Sequence, residues 1–178
     1  ALENDGLNDA PLMINVCVRR EGSKLIFDFR DTKSTSKSSL NAVEAITRSA
    51  VFYVVKLMNP RAPANDGLML NIEIQTPKGT LVHALPPSAV SSGNVETSQR
   101  IVDVLLLALA KAFPEIIPAQ SCGSMNNVLF GGLDKRLNPP RPFVHYETLG
   151  GGAGAGPSGS GLDGIHVHMT NTCLLYTS

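Results

Sequence analysis

The fold is decided by residues 94–113, which read NVETSQRIVDVLLLALAKAF. Asn94 is a good N-cap, and Glu96 places a carboxylate in the first turn, where it suits the helix dipole. The apolar run that follows is interrupted once, by Asp103. Because a helix that is apolar on nearly every side is buried, the sequence predicts a central buried helix over about residues 95–113.

Shorter elements flank this helix on both sides. Asn41 can cap a second helix that runs to about Met58, where a proline-rich stretch ends it. Alternating or short apolar stretches predict strands at residues 12–18, 25–30, 70–74, 126–130, 143–148 and 165–169. Strands and helices are mixed without strict βαβ alternation, so the predicted fold class is α+β, with mixed sheets around the central helix.

Composition excludes several functional classes. Fifteen Lys and Arg balance 15 Asp and Glu, and only 17% of the residues are charged. This balance argues against a nucleic-acid binder or an anionic-membrane binder, because both need a basic excess. The most apolar run, residues 101–110, is too short to span a bilayer, which takes about 20 residues. Three distant cysteines without a C-x-x-C motif favour reduced thiols in a cytoplasmic protein.

Eight of the 16 glycines fall within residues 150–164, a segment termed here the glycine window. Residues 154–159 match G-x-G-x-x-G, but no helix is predicted after them, so the dinucleotide-binding motif is excluded. A P-loop motif is also absent from the sequence. Two interpretations remain: a tightly turned loop, or a loop whose backbone N–H groups approach a ligand.

Histidines lie on both sides of the glycine window. His145 and Glu147 are two apart on the predicted strand before it, and His166 and His168 are two apart on the predicted strand after it. Residues i and i+2 share one face of a strand. If the strands are neighbours, the four side chains could bind a divalent metal or perform acid–base chemistry. The alternative is that they lie on the solvated face of a sheet.

Other polar residues of the sequence also have both a functional and a structural interpretation. Asn94 with Glu96, and Asn126 with Asn127, could bind substrate or act as caps and turn formers. Cys122 lies in a predicted loop, but a nucleophilic cysteine needs a basic partner, and none is evident in the sequence. A small buried thiol is the ordinary alternative.

Five motifs extend over nearly the whole chain. They are PANDG at 63–67, SGNVETSQRIVD at 92–103, GSMNN at 123–127, YETLGGGAGA at 146–155 and HVHMTNT at 166–172. In content, order and spacing they resemble the hydantoinase B/5-oxoprolinase family. Several long motifs in order are far more specific than any single cluster described above.

The resemblance implies part of an ATP-dependent enzyme that opens a cyclic amide such as a hydantoin or 5-oxoproline. In that family a hydantoinase A-type partner subunit or domain binds ATP and phosphorylates the substrate, and the B-type part completes ring opening. Related enzymes carboxylate acetone or acetophenone, so a carboxylase subunit is an alternative. A non-catalytic scaffold for the ATP-using partner is another. The family's divalent metal site lies mainly N-terminal to this stretch, so no metal ligand is expected here.

Within the shared motifs, we expect Glu147 and His168 to be catalytic. The residues that we expect to bind substrate are Asn94, Glu96, Asn126, Asn127, Gly151, Gly152, His166 and Asn171.

The resemblance also bears on the limits of the chain. Family members are much longer than 178 residues, so residues 1–172 are interpreted as an interior fragment of a larger, multi-element subunit. Residues 173–178 depart from the polar segment usual in the family and are interpreted as a non-native tail. Two further departures are DFRD at 28–31, where the family has Asp-Phe-Ser/Thr-Gly, and Cys122, where glutamine is common.

Overall fold

The computed structural model describes residues 1–170 as two α-helices, a three-stranded sheet and a separate hairpin. The elements are β1 (Cys17–Glu21), β2 (Lys24–Asp28), α1 (Glu44–Met58), β3 (Ile72–Gln75), α2 (Ser98–Ala110), β4 (Asn126–Asp134) and β5 (Arg141–Leu149). The predicted α+β class is confirmed. No helix in this part of the chain is long and apolar enough to cross a membrane.

The three-stranded sheet has the order β1-β2-β3, with β1 and β2 antiparallel and β2 and β3 parallel. Cys17 lies opposite Asp28, and Gly22 at the hairpin turn has a φ of 59°, which glycine adopts without strain. The predicted hairpin is therefore present, but residues 12–16 lie outside it.

Helix α2 lies at the centre of the hydrophobic core, as predicted. Buried side chains of α2 pack with those of β2, α1 and the connection after β3; they include Ile101, Val102, Leu105, Phe27, Val51, Val54 and Leu81. Burying one such side chain fully contributes about 1.5–3 kcal/mol. The predicted N-cap is wrong, because a π-helical turn, Gly93–Thr97, continues into α2 and contains Asn94. The main-chain carbonyl of Asn94 accepts a hydrogen bond from the Ser98 hydroxyl at 2.7 Å.

Helix α1 packs against α2 and also differs from the prediction at its start. It begins at Glu44, after Val43, which makes no side-chain capping bond. The buried amide of Asn41 instead donates to the carbonyls of Ser36, Ser38 and Ala89, and its oxygen accepts from the Ser36 N–H. The predicted cap at Asn41 is therefore wrong, because four loop backbone contacts use its side chain.

Strands β4 and β5 form an antiparallel hairpin with Asn126 opposite Leu149. Large apolar side chains of this hairpin are exposed, among them Leu129 at 68% and Val144 at 77%. A two-stranded hairpin is marginally stable on its own in water. Contiguous exposed apolar surface of this kind is typical of an interaction site.

The predicted strand at residues 165–169 is wrong, because this segment consists of turns and irregular backbone. Within residues 1–170, His168 is the one non-glycine residue with a positive φ, at 56°. That left-handed conformation cannot continue a strand.

Candidate functional site

The candidate site is built around His168, a residue that lines two cavities and whose side chain is 10% exposed. The larger, of about 1010 Å³, lies between α1 and residues 168–170, and the smaller, of about 500 Å³, lies between α1, residues 116–121 and the glycine window. Tyr53 lines both cavities, and its ring meets that of His168 edge-on at a centroid distance of 6.3 Å. A histidine so placed can exchange a proton with a ligand.

A buried carboxylate on helix α2 holds His168. The Nε2 atom of His168 lies 2.8 Å from Oδ1 of Asp103, whose side chain is only 2% exposed. Ser121 contributes its N–H at 3.3 Å from Oδ1 and its hydroxyl at 3.1 and 3.2 Å from the two carboxylate oxygens. Because a carboxylate only accepts hydrogen bonds, Nε2 carries the proton in the contact with Asp103.

The charge state of the site follows from these contacts. Burial raises the pKa of the Asp103 carboxyl, but the hydrogen bond and charge of His168 and the hydrogen bonds of Ser121 outweigh it, so this pKa lies below its ordinary range. Burial also raises the pKa of the Tyr53 hydroxyl. An ionised carboxylate therefore lies behind His168, and a neutral phenol lies beside it at neutral pH.

The backbone around His168 is constrained as well. Its left-handed conformation costs about 1–2 kcal/mol for a residue with a side chain. The hydroxyl of Thr170 donates to the carbonyl of Val167 at 2.6 Å and accepts from Gln99 Nε2 on α2 at 3.1 Å. Side-chain contacts to α2 thus hold residues 167–170 in a strained turn, a feature common at functional sites.

Several glycines of the glycine window are closely packed. A Cβ added at Gly154 would lie 2.1 Å from the carbonyl oxygen of Ala119, and one at Gly151 would lie 2.1 Å from Sγ of Cys122. Gly152 has a φ of 129°, which strains any residue with a side chain. The tightly turned loop is therefore the interpretation that the geometry favours, although Gly154 also lines the smaller cavity.

The four predicted His and Glu side chains do not converge on a metal. His145 and Glu147 lie on β5, about half exposed, with Nε2 and Oε2 3.3 Å apart, whereas His166 and His168 line the smaller cavity. Within residues 1–170, no group of three or more His, Cys, Asp or Glu side chains could hold a metal ion. The metal interpretation is wrong for this group, because residues 165–169 do not form the strand that it required.

The remaining predicted residues lie in different places. Asn94 lines the larger cavity. Ser124 brings Glu96 and Asn126 together, since its hydroxyl lies 2.8 Å from Glu96 Oε1 and 3.2 Å from Asn126 Oδ1. Asn127 uses its side-chain oxygen to accept hydrogen bonds from side chains of β5. The substrate-binding roles of these residues stay predictions.

Two features predicted near the chain's C-terminus, Asn171 and the tail 173–178, lie outside the described residues. Cys122 is exposed, so its interpretation as a small buried thiol is wrong. Its Sγ donates to the carbonyl of Ser124 at 3.3 Å.

The sequence-based interpretation missed three residues of the site, Asp103, Ser121 and Tyr53. Asp103 carried a usable signal, because a carboxylate inside a buried helix must find partners. Ser121 and Tyr53 carried none, since their proximity to His168 arises only when segments far apart in sequence pack together.

Comparisons with known proteins agree with this architecture. The sequence profile of the family described as hydantoinase B/oxoprolinase matches residues 2–176. The 5-oxoprolinase 1 of Arabidopsis thaliana is 37% identical over 172 residues, which cover 96% of this chain and 12% of that protein. The B-type subunit of a putative D-/L-hydantoinase from Pseudomonas sp. (strain NS671) is 26% identical, over 96% of this chain and 29% of its own length. The chain thus spans less than a third of either relative.

Two solved structures share the fold. The ATP-dependent caprolactamase from Pseudomonas jessenii superposes with a TM-score of 0.68 and 22% identity, over 84% of this chain and 26% of that one. Acetone carboxylase in its nucleotide-free form superposes with a TM-score of 0.62 and 19% identity, over 83% and 20%. At these identities the likeness concerns the fold alone.

Proposed function

Because the chain belongs to the hydantoinase B/oxoprolinase family, we propose that it is part of the B-type portion of an ATP-dependent enzyme that opens a cyclic amide such as 5-oxoproline or a hydantoin. The observation that carries this proposal is His168, which lines two cavities and is backed by a buried carboxylate. The relatives named as a 5-oxoprolinase and as part of a putative hydantoinase support the substrate class.

In this proposal His168 moves a proton during ring opening. When a ring C–N bond is hydrolysed, the water oxygen bonds to the carbonyl carbon, the C–N bond breaks, and the nitrogen gains a proton. Because Nε2 is held by Asp103, Nδ1 is the atom that accepts the proton from water and returns it to the ring nitrogen. Tyr53 and Asn94, at the wall of the larger cavity, supply hydrogen-bonding groups for the polar atoms of the ring.

ATP is assigned in this proposal to a hydantoinase A-type partner subunit or domain, where it would supply activation of the carbonyl by phosphoryl transfer. The phosphoryl group would stay on the carbonyl oxygen when the C–N bond breaks, and a second water would release it as inorganic phosphate. Much of the glycine window leaves no room for a phosphate, because the space beside five of its eight glycines is filled by protein, whereas Gly156, Gly159 and Gly164 border open space. An added Cβ at Gly150 would lie 2.3 Å from the Gly164 oxygen, and one at Gly161 would lie 2.0 Å from the Ala153 oxygen. The family's divalent metal is assigned elsewhere as well, since the described residues do not fit one.

We also propose that the chain is part of a longer subunit within a cytoplasmic hetero-oligomer. It spans only 12% of its Arabidopsis relative, and the hairpin β4–β5 leaves apolar side chains uncovered. Cys17 and Cys122 are free and exposed, which suits a reducing compartment.

The test is a steady-state assay of the full-length protein with its ATP-binding partner. We expect ATP turnover that depends on 5-oxoproline or hydantoin. The change His168→Ala should lower kcat by about 10²–10⁴-fold, the usual contribution of a general acid–base group, while the complex still assembles. The matched control is His83→Asn, because His83 contacts Thr76 and Glu44 and is not among the residues that line the two cavities. Its kcat should stay within about twofold.

Other outcomes would favour the alternatives. Turnover with acetone and bicarbonate, and none with cyclic amides, would identify a carboxylase subunit. Full activity of His168→Ala and of Glu147→Gln in an assembled complex would identify a scaffold. Loss of activity in Glu147→Gln alone would move the catalytic role to the exposed hairpin.

A further inference from the structure

Helix α2 carries a carboxylate in a run of buried apolar side chains. Asp103 is 1% exposed and follows the fully buried Val102. Because removing a carboxylate from water costs free energy, a buried one is tolerated only with hydrogen-bonding partners. The hydrogen-bonding partners of Asp103 come from distant parts of the chain, Ser121 being 18 residues and His168 65 residues away. Arg100, one turn earlier on the helix, adds an ion pair, with Nη1 3.8 Å from Oδ2.

The hydrogen bonds around Asp103 converge on its carboxylate from two sides. The N–H of Gly123 donates to the Ser121 hydroxyl oxygen at 2.9 Å. The hydroxyl proton is then free to point at the carboxylate, 3.1 and 3.2 Å away. His168 donates from the other side through Nε2, so a neutral ring keeps its lone pair on Nδ1.

Separate contacts keep Ser121 beside the carboxylate. Gln120 Nε2 donates to the main-chain carbonyl of Asp103 at 3.0 Å. The guanidinium of Arg100 packs over Gly123, where an added Cβ would lie 2.0 Å from Nη1. The support of His168 is therefore built by the loop at 120–123 and by α2.

We propose that Asp103 is a positioning residue, which sets the orientation of His168 and determines which ring nitrogen carries the proton, while Ser121 holds the carboxylate. This inference rests on the proposed function. Asp103 acts through His168, because almost none of its side chain is accessible to a ligand. An asparagine at this position could present either its NH₂ or its oxygen to the ring, so Nε2 would no longer have to be the protonated nitrogen.

A double-mutant cycle in the full-length enzyme with its ATP-binding partner tests this role, with 5-oxoproline or hydantoin, whichever the wild type opens. Asp103→Asn should lower kcat by about 10²–10⁴-fold and leave KM within about threefold. Combining Asp103→Asn with His168→Ala should lower kcat no more than about threefold below His168→Ala alone, because both changes remove the same proton transfer. The matched control is Asp134→Asn, whose partly exposed carboxylate pairs with Arg136 on the β4–β5 hairpin and whose kcat should not change.

Each outcome decides a separate point. If His168→Ala is inactive and Asp103→Asn keeps a wild-type kcat, the positioning role is wrong and the proposed function stands. If His168→Ala is fully active, the proposed function itself is wrong, and the positioning role is wrong with it. If Asp103→Asn does not fold, Ser121→Ala replaces it in the cycle: a lower kcat that disappears in the His168→Ala background supports the role, and an additive loss overturns it.

Discussion

The close packing of the glycine window predicts a large effect for the change Gly154→Ala. A Cβ at this position would lie 2.1 Å from the Ala119 oxygen and 2.5 Å from the Gln120 oxygen. Both are backbone atoms, and the shorter distance is 0.9 Å below the 3.0 Å that real Cβ contacts respect. The two segments must therefore separate, which breaks the hydrogen bond from the Ala119 N–H to the Ala155 oxygen, now 2.8 Å long.

The expected cost combines these two effects. Overpacking costs about 1–3 kcal/mol and the lost hydrogen bond about 0.5–1.5 kcal/mol, so the local structure should lose about 2–4 kcal/mol. Amide hydrogen exchange by mass spectrometry in the full-length protein measures this loss, because local opening governs exchange. Exchange at Ala119 should become about 30- to 700-fold faster in Gly154→Ala.

The matched control is Gly156→Ala in the same window. An added Cβ at Gly156 meets no atom within 4 Å, so exchange at Ala119 should change by less than about threefold. Equal acceleration in the two variants would refute the packing argument and favour a generally flexible loop. Unchanged exchange in Gly154→Ala would refute it too.

Three further changes test other parts of the structure. Asn41→Ala should lower the free energy of unfolding by about 2–4 kcal/mol, because it leaves several buried backbone groups without partners. The control change at the exposed Asn8, Asn8→Ala, should alter it by less than about 0.5 kcal/mol. Equal thermal midpoints for the two variants would contradict this expectation. Because the pKa of Asp103 is depressed on folding, its stabilising effect is present above about pH 4 and is lost as the pH falls through the folded-state value. Below about pH 4 the wild type should therefore lose stability more steeply than Asp103→Asn in urea titrations, and parallel curves would count against this. Replacing both Leu129 and Val144 by lysine should reduce the binding of an apolar dye to the isolated chain. Unchanged binding would show that the β4–β5 hairpin is not the main exposed apolar surface of the chain.

Local sequence patterns predicted the elements that are stabilised by local contacts or that contain a long apolar run. Helix α2 follows from an apolar run long enough to be buried on all sides, and the hairpin β1–β2 follows from two alternating stretches around Gly22. The motifs also directed attention to His168, His166 and Asn94, which the structure places at the cavity walls. The roles of these residues were inferred from resemblance, because neither periodicity nor composition distinguishes a ligand-binding side chain from a capping one.

The errors occurred where side chains have alternatives that the local sequence does not reveal. Asn41 and Asn94 both suit an N-cap, but the buried amide of Asn41 instead bonds the loop before it and the carbonyl of Ala89, and a π-helical turn precedes α2 at Asn94. Residues 165–169 alternate like a strand, yet the bond from His168 to α2 accompanies a left-handed backbone that no strand allows.

The sequence by itself determined the α+β class and the central helix, since these depend on local patterns, and its ordered motifs carried the resemblance to the family. Only the tertiary structure decided how the site is assembled. Asp103, Ser121 and His168 meet across 65 residues because a buried carboxylate must be compensated by whichever donors packing brings to it. The structure likewise explains part of the glycine window, which composition could not do: Gly150, Gly154 and Gly161 leave room for neighbouring backbone that any side chain would displace.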